Sequence, residues 1–352
     1  MLGRYILFNH IKTFFLILFV LIGLLYIYLI GEVFILFEEK NLKVFLDYSL
    51  NFLPISFFYI SSFVVSLSFL LVFRRMLQKN MDFLVYSFGI SPLKLSWSVI
   101  LFSLIISSLN LVGSYKLYAD SQRQLYRLER QYKKAKELES GVVRNLWLKS
   151  EQDNETRFYN FELIDLSTGG IYGFYLLRVK EGSIEELVVA QVGKWEKDHI
   201  TLRDASVRNM LIGEEVKKDM SFQYVDISQI EPLAEKPEHL SLKEVFTLTL
   251  LGEKVGVNQR YYSYEMLRRV LTSMLPLHIT LTLVWVYFKW RSFNFAMFSL
   301  FGVFSLHWML LNFIRSLVEN TGFSLFLIYS LYLPVPFLSL KGLYNLVKGF
   351  RV

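Results

Sequence analysis

The sequence predicts a polytopic α-helical membrane protein with six transmembrane helices and an extracytoplasmic all-β, jelly-roll-like domain inserted between helices three and four. Three observations lead there. Hydrophobic residues make up 53% of the 352, above the roughly 45–50% of soluble domains. The excess lies in long runs towards the two ends, as membrane spans would place it, while the middle has an ordinary soluble composition. Within that middle, apolar residues recur at every second position, the period of a strand.

A helix rises about 1.5 Å per residue, so about 20 apolar residues cross a hydrocarbon core of about 30 Å. Six segments qualify: Phe14–Phe37, Ile55–Phe73, Leu95–Tyr115, Leu267–Phe288, Phe293–Ile314 and Phe323–Leu340. The first is longer than the roughly 7–15 residues of a signal-peptide core and has no small-x-small cleavage site after it, so it reads as a span. Pro276 is expected to kink the fourth.

Orientation follows from Lys and Arg in the short flanks. With the N-terminus inside, the cytoplasmic flanks hold Arg4, Lys12, Arg74, Arg75, Lys79, Lys94, Lys289, Arg291, Lys341, Lys348 and Arg351, with Asp82 the one acid. The two short outer loops hold only Lys40, Lys43 and Arg315 as basic residues, beside Glu38, Glu39, Asp47 and Glu319. Both termini are therefore expected in the cytoplasm of a cell with an inner membrane, and the long middle segment outside it.

The expected division is 1–115 for spans one to three, with a cytoplasmic coupling loop at 74–94. A stalk helix follows at 116–140, a β-domain at 141–236, a return helix and linker at 237–263, and spans four to six at 264–352. Residues 116–140 lack Gly and Pro and are rich in good helix formers. Beyond Gly141 the stretches RFYNFELIDL, IYGFYLLRV, ELVVAQVGKWE, HITLRDASV and SFQYVDI alternate as strands. Turn clusters at Ser167–Gly170, Glu181–Ser183 and Lys197–Asp198 separate them, which suggests an antiparallel sandwich or jelly roll. Ser241 and Glu244 fit a capping box, predicting a helix of about three turns ahead of Gly252.

The net charge of +7 belongs mostly to the flanks of the spans, and the absence of cysteine excludes disulfides and cysteine-ligated metal. No GxxxxGK[ST], GxSxG, HExxH or GxGxxG occurs. The histidines at 10, 199, 239, 278 and 307 are scattered, with no carboxylate at ligand spacing, and local hydrogen bonds account for them. No cofactor is implied.

Three constellations carry possible function. In the loop Arg74–Pro92, Asp82, Val85, Tyr86 and Gly89 fall at i, i+3, i+4 and i+7. That is a short amphipathic helix for the groove of a cytosolic partner, or a basic loop resting on the inner leaflet. Above span three, Arg123, Arg127, Arg130 and Lys134 share one helical face suited to phosphates. Glu129, Glu137 and Glu139 open the alternative of a solvated, ion-paired face. Lys40 and Lys43 can join that belt. Within the spans, Glu32, His278 and His307, the last beside Trp308, are costly ionisable groups that mark function or are satisfied locally.

Taken in order, these features resemble the LptF/LptG permease family of lipopolysaccharide export. Arg4-Tyr5-Ile6 opens the chain as in the family, and the segment Asp82–Pro92, ending FGISP, resembles its cytoplasmic loop. Asn145-Leu146-Trp147-Leu148-Lys149 with RFYNFELID and GGIYGFYL resembles the start of the outer domain, and Trp195 with Ile200-Thr201-Leu202 its later strands. HLSLKEVFTLTLLGEKVGVNQRYYSYEMLRRVLTSMLPL is similar to its return helix and fourth span, LptG more than LptF. One departure stands out: the family's loop glutamate, eight residues before the glycine, is Met81 here, with Asp82 one step on.

The resemblance implies a permease subunit of an ABC transporter, without its own ATPase, paired with a second LptF/LptG subunit over an LptB-type ATPase dimer. It would extract lipopolysaccharide from the inner membrane and pass it to LptC and LptA through the β-domain. Phe34, Phe37 and Trp308 would then line an acyl-chain cavity, and Lys40, Lys43, Arg123, Arg127 and Arg130 would meet phosphates. Arg75, Asp82, Val85, Tyr86 and Gly89 would couple to the ATPase. The rival readings are another ABC exporter, of lipoprotein or peptide, and a membrane enzyme of envelope-lipid metabolism using Glu32 or His307.

Overall fold

The computed structural model describes residues 2–36, 42–81, 87–132, 142–152, 155–165, 168–180, 182–210, 212–223, 237–255 and 259–348. The chain forms two compact units, one of residues 1–135 with 266–352 and one of residues 136–265.

The first unit is helical. Its long elements are α1 (Leu2–Leu36), α2 (Leu42–Gln78), α3 (Pro92–Tyr115), α4 (Leu117–Tyr132), α6 (Gln259–Trp290, which begins in the second unit) and α7 (Phe293–Asn320). All but α4 are long and apolar enough to cross a membrane. The sixth apolar segment is broken into α8 (Leu325–Ser330) and α9 (Pro334–Lys348). Six apolar segments are thus five continuous helices and one divided one. The break is a tight turn: the N–H groups of Leu331, Tyr332, Leu333 and Val335 donate to carbonyls three residues back. Pro334 and Pro336 bring no N–H of their own, which ends the α-helical ladder there.

Apolar area does not decide which helix meets which in a membrane; packing and hydrogen bonds do. Helix α2 gathers most of these ties. A His10 ring nitrogen lies 3.1 Å from the Val65 carbonyl, and Tyr26 donates to Ser49 O at 2.8 Å. Asn110 of α3 donates to Ser61 at 2.9 Å, and Tyr287 of α6 to Phe73 O at 3.0 Å. Helix α6 runs on through Pro276: the Leu277 N–H donates to the Ser107 hydroxyl of α3 at 3.2 Å. A side chain of the neighbouring helix thus bonds the backbone beside the proline.

The stalk is not a plain extension of α3. The helix ends at Lys116 and α4 starts anew at Leu117. Tyr118 lies over Gly113, where a side chain would collide with its ring, and donates to Asn110 at 3.2 Å. Leu125, Leu128 and Tyr132 of α4 then pack on Leu29 and Val33 of α1 and Val44 and Tyr48 of α2. The part of the expected stalk beyond Tyr132 lies outside the described residues.

The second unit is built on one antiparallel sheet with strands in chain order: β1 (Val142–Gln152), β2 (Glu155–Asp165), β3 (Gly170–Lys180), β4 (Ser183–Glu196), β5 (His199–Asn209) and β6 (Glu215–Gln223). β1 is not among the stretches whose alternation marks a strand, and β6 overlaps the expected strand SFQYVDI at Ser221–Gln223, the rest of that stretch lying outside the described residues. The order is a meander, yet the sheet encloses a core as two sheets would. Strands stand about 4.8 Å apart, so β2 and β6 would be about 19 Å apart if flat. Instead Tyr159 of β2 stacks on Phe222 of β6 at 6.0 Å, and Phe174 of β3 lies 5.9 Å from it. The sheet therefore folds over, closing on Phe161, Phe174, Trp195 and Leu202. A register shift between Leu202 and Ala205, with Asp204 at φ +48, supplies the bend.

The capping box forms as the sequence implies: Ser241 N–H donates to Glu244 at 2.6 Å and Glu244 N–H to Ser241 Oγ at 3.2 Å. Its helix α5 (Leu242–Val255) runs past Gly252 and packs on β1.

Gly193 faces the Thr201 carbonyl and the Leu202 side chain, each 2.8 Å from where a Cβ would lie. Gly193→Ala is expected to destabilise the β-unit by about 1–3 kcal/mol. Gly302 in α7 has nothing within 4 Å of that position, and Gly302→Ala should leave the melting transition in detergent unchanged.

Candidate functional site

The two ends of the helical unit differ in charge, and depth can be counted from the basic end. Tyr59 is 16 residues from Arg75 on α2, Trp308 is 15 from Phe293 on α7, and Arg268 is 21 from Lys289 on α6. At about 1.5 Å per residue these are roughly 22–31 Å from that end, near the far edge of the hydrocarbon. The three side chains meet there. Arg268 donates to the Tyr59 hydroxyl at 3.0 Å, and the Tyr59 ring lies 5.7 Å from that of Trp308. Trp308 also touches Phe304 and His307.

Beneath Trp308 the polar chain continues inward. His307 is fully buried, with one ring nitrogen 2.6 Å from the Tyr332 hydroxyl and the other 3.3 Å from Thr272. The Tyr332 contact fixes the turn between α8 and α9 to α7. His278 similarly lies 2.9 Å from Ser339. The side-chain partners of both histidines are hydroxyls, those of Tyr332, Thr272 and Ser339. Among the described residues no three His, Cys, Asp or Glu gather to hold a metal.

Of the residues expected to meet phosphate, Lys43 is exposed at the start of α2. Arg123 is half-buried and 3.8 Å from Asp120, whereas Arg127 is exposed. Glu129 accepts from the Tyr48 hydroxyl at 2.8 Å. Arg130 is in α4, and nothing is described of its side chain or that of Phe34; Phe37, Lys40 and Lys134 lie outside the described residues.

In the coupling segment, Arg75 is exposed at the end of α2 and Asn80 at φ +50 ends the turn after it. Asp82, Val85 and Tyr86 lie outside the described residues. Gly89 has φ +68, a conformation that favours glycine, and Phe88 beside it is 80% exposed. Ser91 then caps α3 by accepting from the Lys94 N–H at 3.3 Å.

Sequence reading missed Tyr59, Arg268, Thr272 and Tyr332. The available signal was the Arg268-Arg269 pair at the head of an apolar span, and a tyrosine inside another.

The helices least covered by their own chain are α1 and α7, with 22% and 28% of their apolar windows buried, against 67% for α2 and 72% for α6. Helix α7 carries Trp308, so the aromatic and cationic cluster borders an apolar surface open to lipid or to a second subunit. The family model for the lipopolysaccharide export system permease LptF/LptG matches residues 4–344. An uncharacterized protein of Aquifex aeolicus (strain VF5) is 32% identical over 359 positions, covering all of both chains. With five apolar spans, a divided sixth and an inserted antiparallel β-domain, the chain belongs to the LptF/LptG family of inner-membrane lipopolysaccharide export permeases.

Proposed function

We propose that this chain is an LptG-like permease subunit of an ABC transporter, which lifts lipopolysaccharide out of the outer leaflet of the inner membrane. A second LptF/LptG subunit pairs with it, and an LptB-type ATPase dimer drives both from the cytoplasm. The termini lie on that side and the β-domain in the periplasm. The observation that carries the reading is the Tyr59–Arg268–Trp308 cluster at the outer hydrocarbon edge, beside the open face of α7.

The cluster suits an anionic lipid. Guanidinium binds phosphate oxygens in a fork, while Trp308 and Phe304 offer an apolar wall to acyl chains at that depth. Arg123 and Arg127 of α4, with Lys43 of α2, supply further cations above it. By the family resemblance Arg130 and Lys40 would add further cations, and Phe34 and Phe37 further apolar surface.

Exposing acyl chains to water costs about 0.8 kcal/mol per CH₂. Several chains released at once would cost tens of kcal/mol, more than one ATP provides. The chains must therefore stay covered from the bundle to the acceptor. At the β-domain, α5 packs on the β1 edge. Strand β6 is the other edge of the described sheet, and it is mostly exposed. It is the edge on which LptC, and beyond it LptA, would continue the sheet by strand addition.

On the cytoplasmic side, Arg75, Asp82, Val85, Tyr86 and Gly89 carry the ATPase stroke, Asp82 serving for the family's glutamate one position earlier. Arg74, whose guanidinium lies 4.7 Å over the Phe293 ring, links the end of α2 to the start of α7.

Charge reversal at Arg123 and Arg127 should reduce photo-crosslinking to lipopolysaccharide several-fold and leave ATPase copurification intact; unchanged crosslinking removes them from the site. Arg268→Gln should lower lipopolysaccharide release from proteoliposomes by about tenfold, the cost of one charge-assisted hydrogen bond. A rate equal to wild type would separate that cluster from the cargo path. Asp82→Lys should weaken copurification of the ATPase, and full retention would place the coupling face elsewhere.

A further inference from the structure

At the basic end of the helical unit, far from the proposed cargo site, two lysines converge on one indole. Gly342 of α9 packs against α6 so closely that a Cβ there would lie 2.8 Å from the Leu281 carbonyl and 3.2 Å from the Trp285 Cβ. This approach brings the Lys341 ammonium to 5.9 Å from the Trp285 ring, while Lys289 of α6 reaches the same ring at 5.5 Å. Lys289 also lies 4.3 Å over Trp290, which stacks on Phe295 at 5.0 Å.

Indole faces attract both cations but leave their mutual repulsion in place. Among the described residues no carboxylate pairs with Lys289 or Lys341. The sequence offers few: in residues 266–352 the one acid is Glu319, at the opposite end of α7. An anion from outside the chain would offset that repulsion.

The surroundings state what kind. Trp290 and Phe295 are 41% and 51% exposed, and Phe298 and Phe301, one and two turns further into the span, are 78% and 50% exposed. A cationic pocket at the membrane surface thus runs into an aromatic wall at hydrocarbon depth. A soluble anion or the acidic face of a cytosolic protein would use the lysines and leave that wall idle.

We infer that the ends of α6 and α9, with the start of α7, form a binding site for an anionic phospholipid, its phosphate between Lys289 and Lys341 and an acyl chain along Phe295, Phe298 and Phe301. In the orientation proposed above this is a lipid of the cytoplasmic leaflet, distinct from the cargo.

Native mass spectrometry of the purified transporter in mild detergent, titrated with dioleoylphosphatidylglycerol or dioleoylphosphatidylcholine, tests this. Wild type should prefer phosphatidylglycerol by about thirtyfold, as expected for two lysines near a lipid surface. Lys289→Gln with Lys341→Gln should abolish that preference, and Lys289→Arg with Lys341→Arg should keep it, which separates lost charge from lost folding. An unchanged preference in the Gln variant overturns the site. So does displacement of phosphatidylglycerol by excess lipopolysaccharide, which would make this the cargo path, or loss of ATPase copurification in the Gln variant with lipid preference intact. The leaflet is read separately: the chain has no cysteine, so a cysteine placed at Ser292 and labelled only from outside intact cells would overturn the orientation and not the lipid site.

Discussion

A polar side chain inside a membrane has no water to turn to, and this constraint organises the helical unit. Lipid tails are as apolar as leucine, so burial alone cannot select one helix neighbour over another. The selective contacts are the polar ones. His10, Tyr26, Asn110, Tyr287 and Arg268 come from three different helices and each finds its partner on α2. Four of these five reach a backbone carbonyl or a serine hydroxyl; Arg268 alone reaches a tyrosine that also touches Trp308. α2 is therefore both the hub of the bundle and the element through which the outer cluster and the coupling segment are joined, since Tyr59 and Arg75 belong to one continuous helix.

That continuity gives the proposed transport stroke a mechanical path. A rigid helix of 37 residues passes movement at Arg74 and Arg75 to Tyr59 about 24 Å away. Tyr59 holds Arg268 of α6 and rests on Trp308 of α7, so a shift of α2 changes the contacts of α7, one of the two helices with the most open apolar faces. His307 and Tyr332 carry the same linkage into the divided sixth segment. The ties are single hydrogen bonds and ring contacts, each worth about 1 kcal/mol, so they can be exchanged within the free energy that ATP hydrolysis supplies.

Features encoded locally were legible in the sequence. The five continuous spans announced themselves by length and hydropathy, and the capping box at Ser241 and Glu244 by spacing. β2 to β5 showed in the alternation of RFYNFELID and its successors. What escaped depends on contacts distant in the chain. The first part of β6 carries EVKKDM because an edge strand keeps one side to solvent; only its end, Ser221–Gln223, falls in the stretch SFQYVDI that alternates as a strand. The restart at Leu117 depends on Gly113 making room for Tyr118. The outer cluster unites residues 209 positions apart, Tyr59 and Arg268, each of which reads alone as an ordinary interfacial side chain.

The sixth span makes the same point in energetic terms. By composition Phe323–Leu340 is one apolar stretch, long enough to cross. Two prolines two residues apart remove two backbone donors, and a membrane penalises the carbonyls this leaves behind. The chain answers by tightening to bonds between residues three apart across Leu331–Val335, and by placing Tyr332 where His307 can bond its hydroxyl. The broken helix is therefore stable only beside α7. Its two halves are set by a histidine that sequence alone marks as either functional or locally satisfied. In the structure the second property holds: His307 is satisfied by the turn it contacts, and that bond ties α7 to the sixth segment.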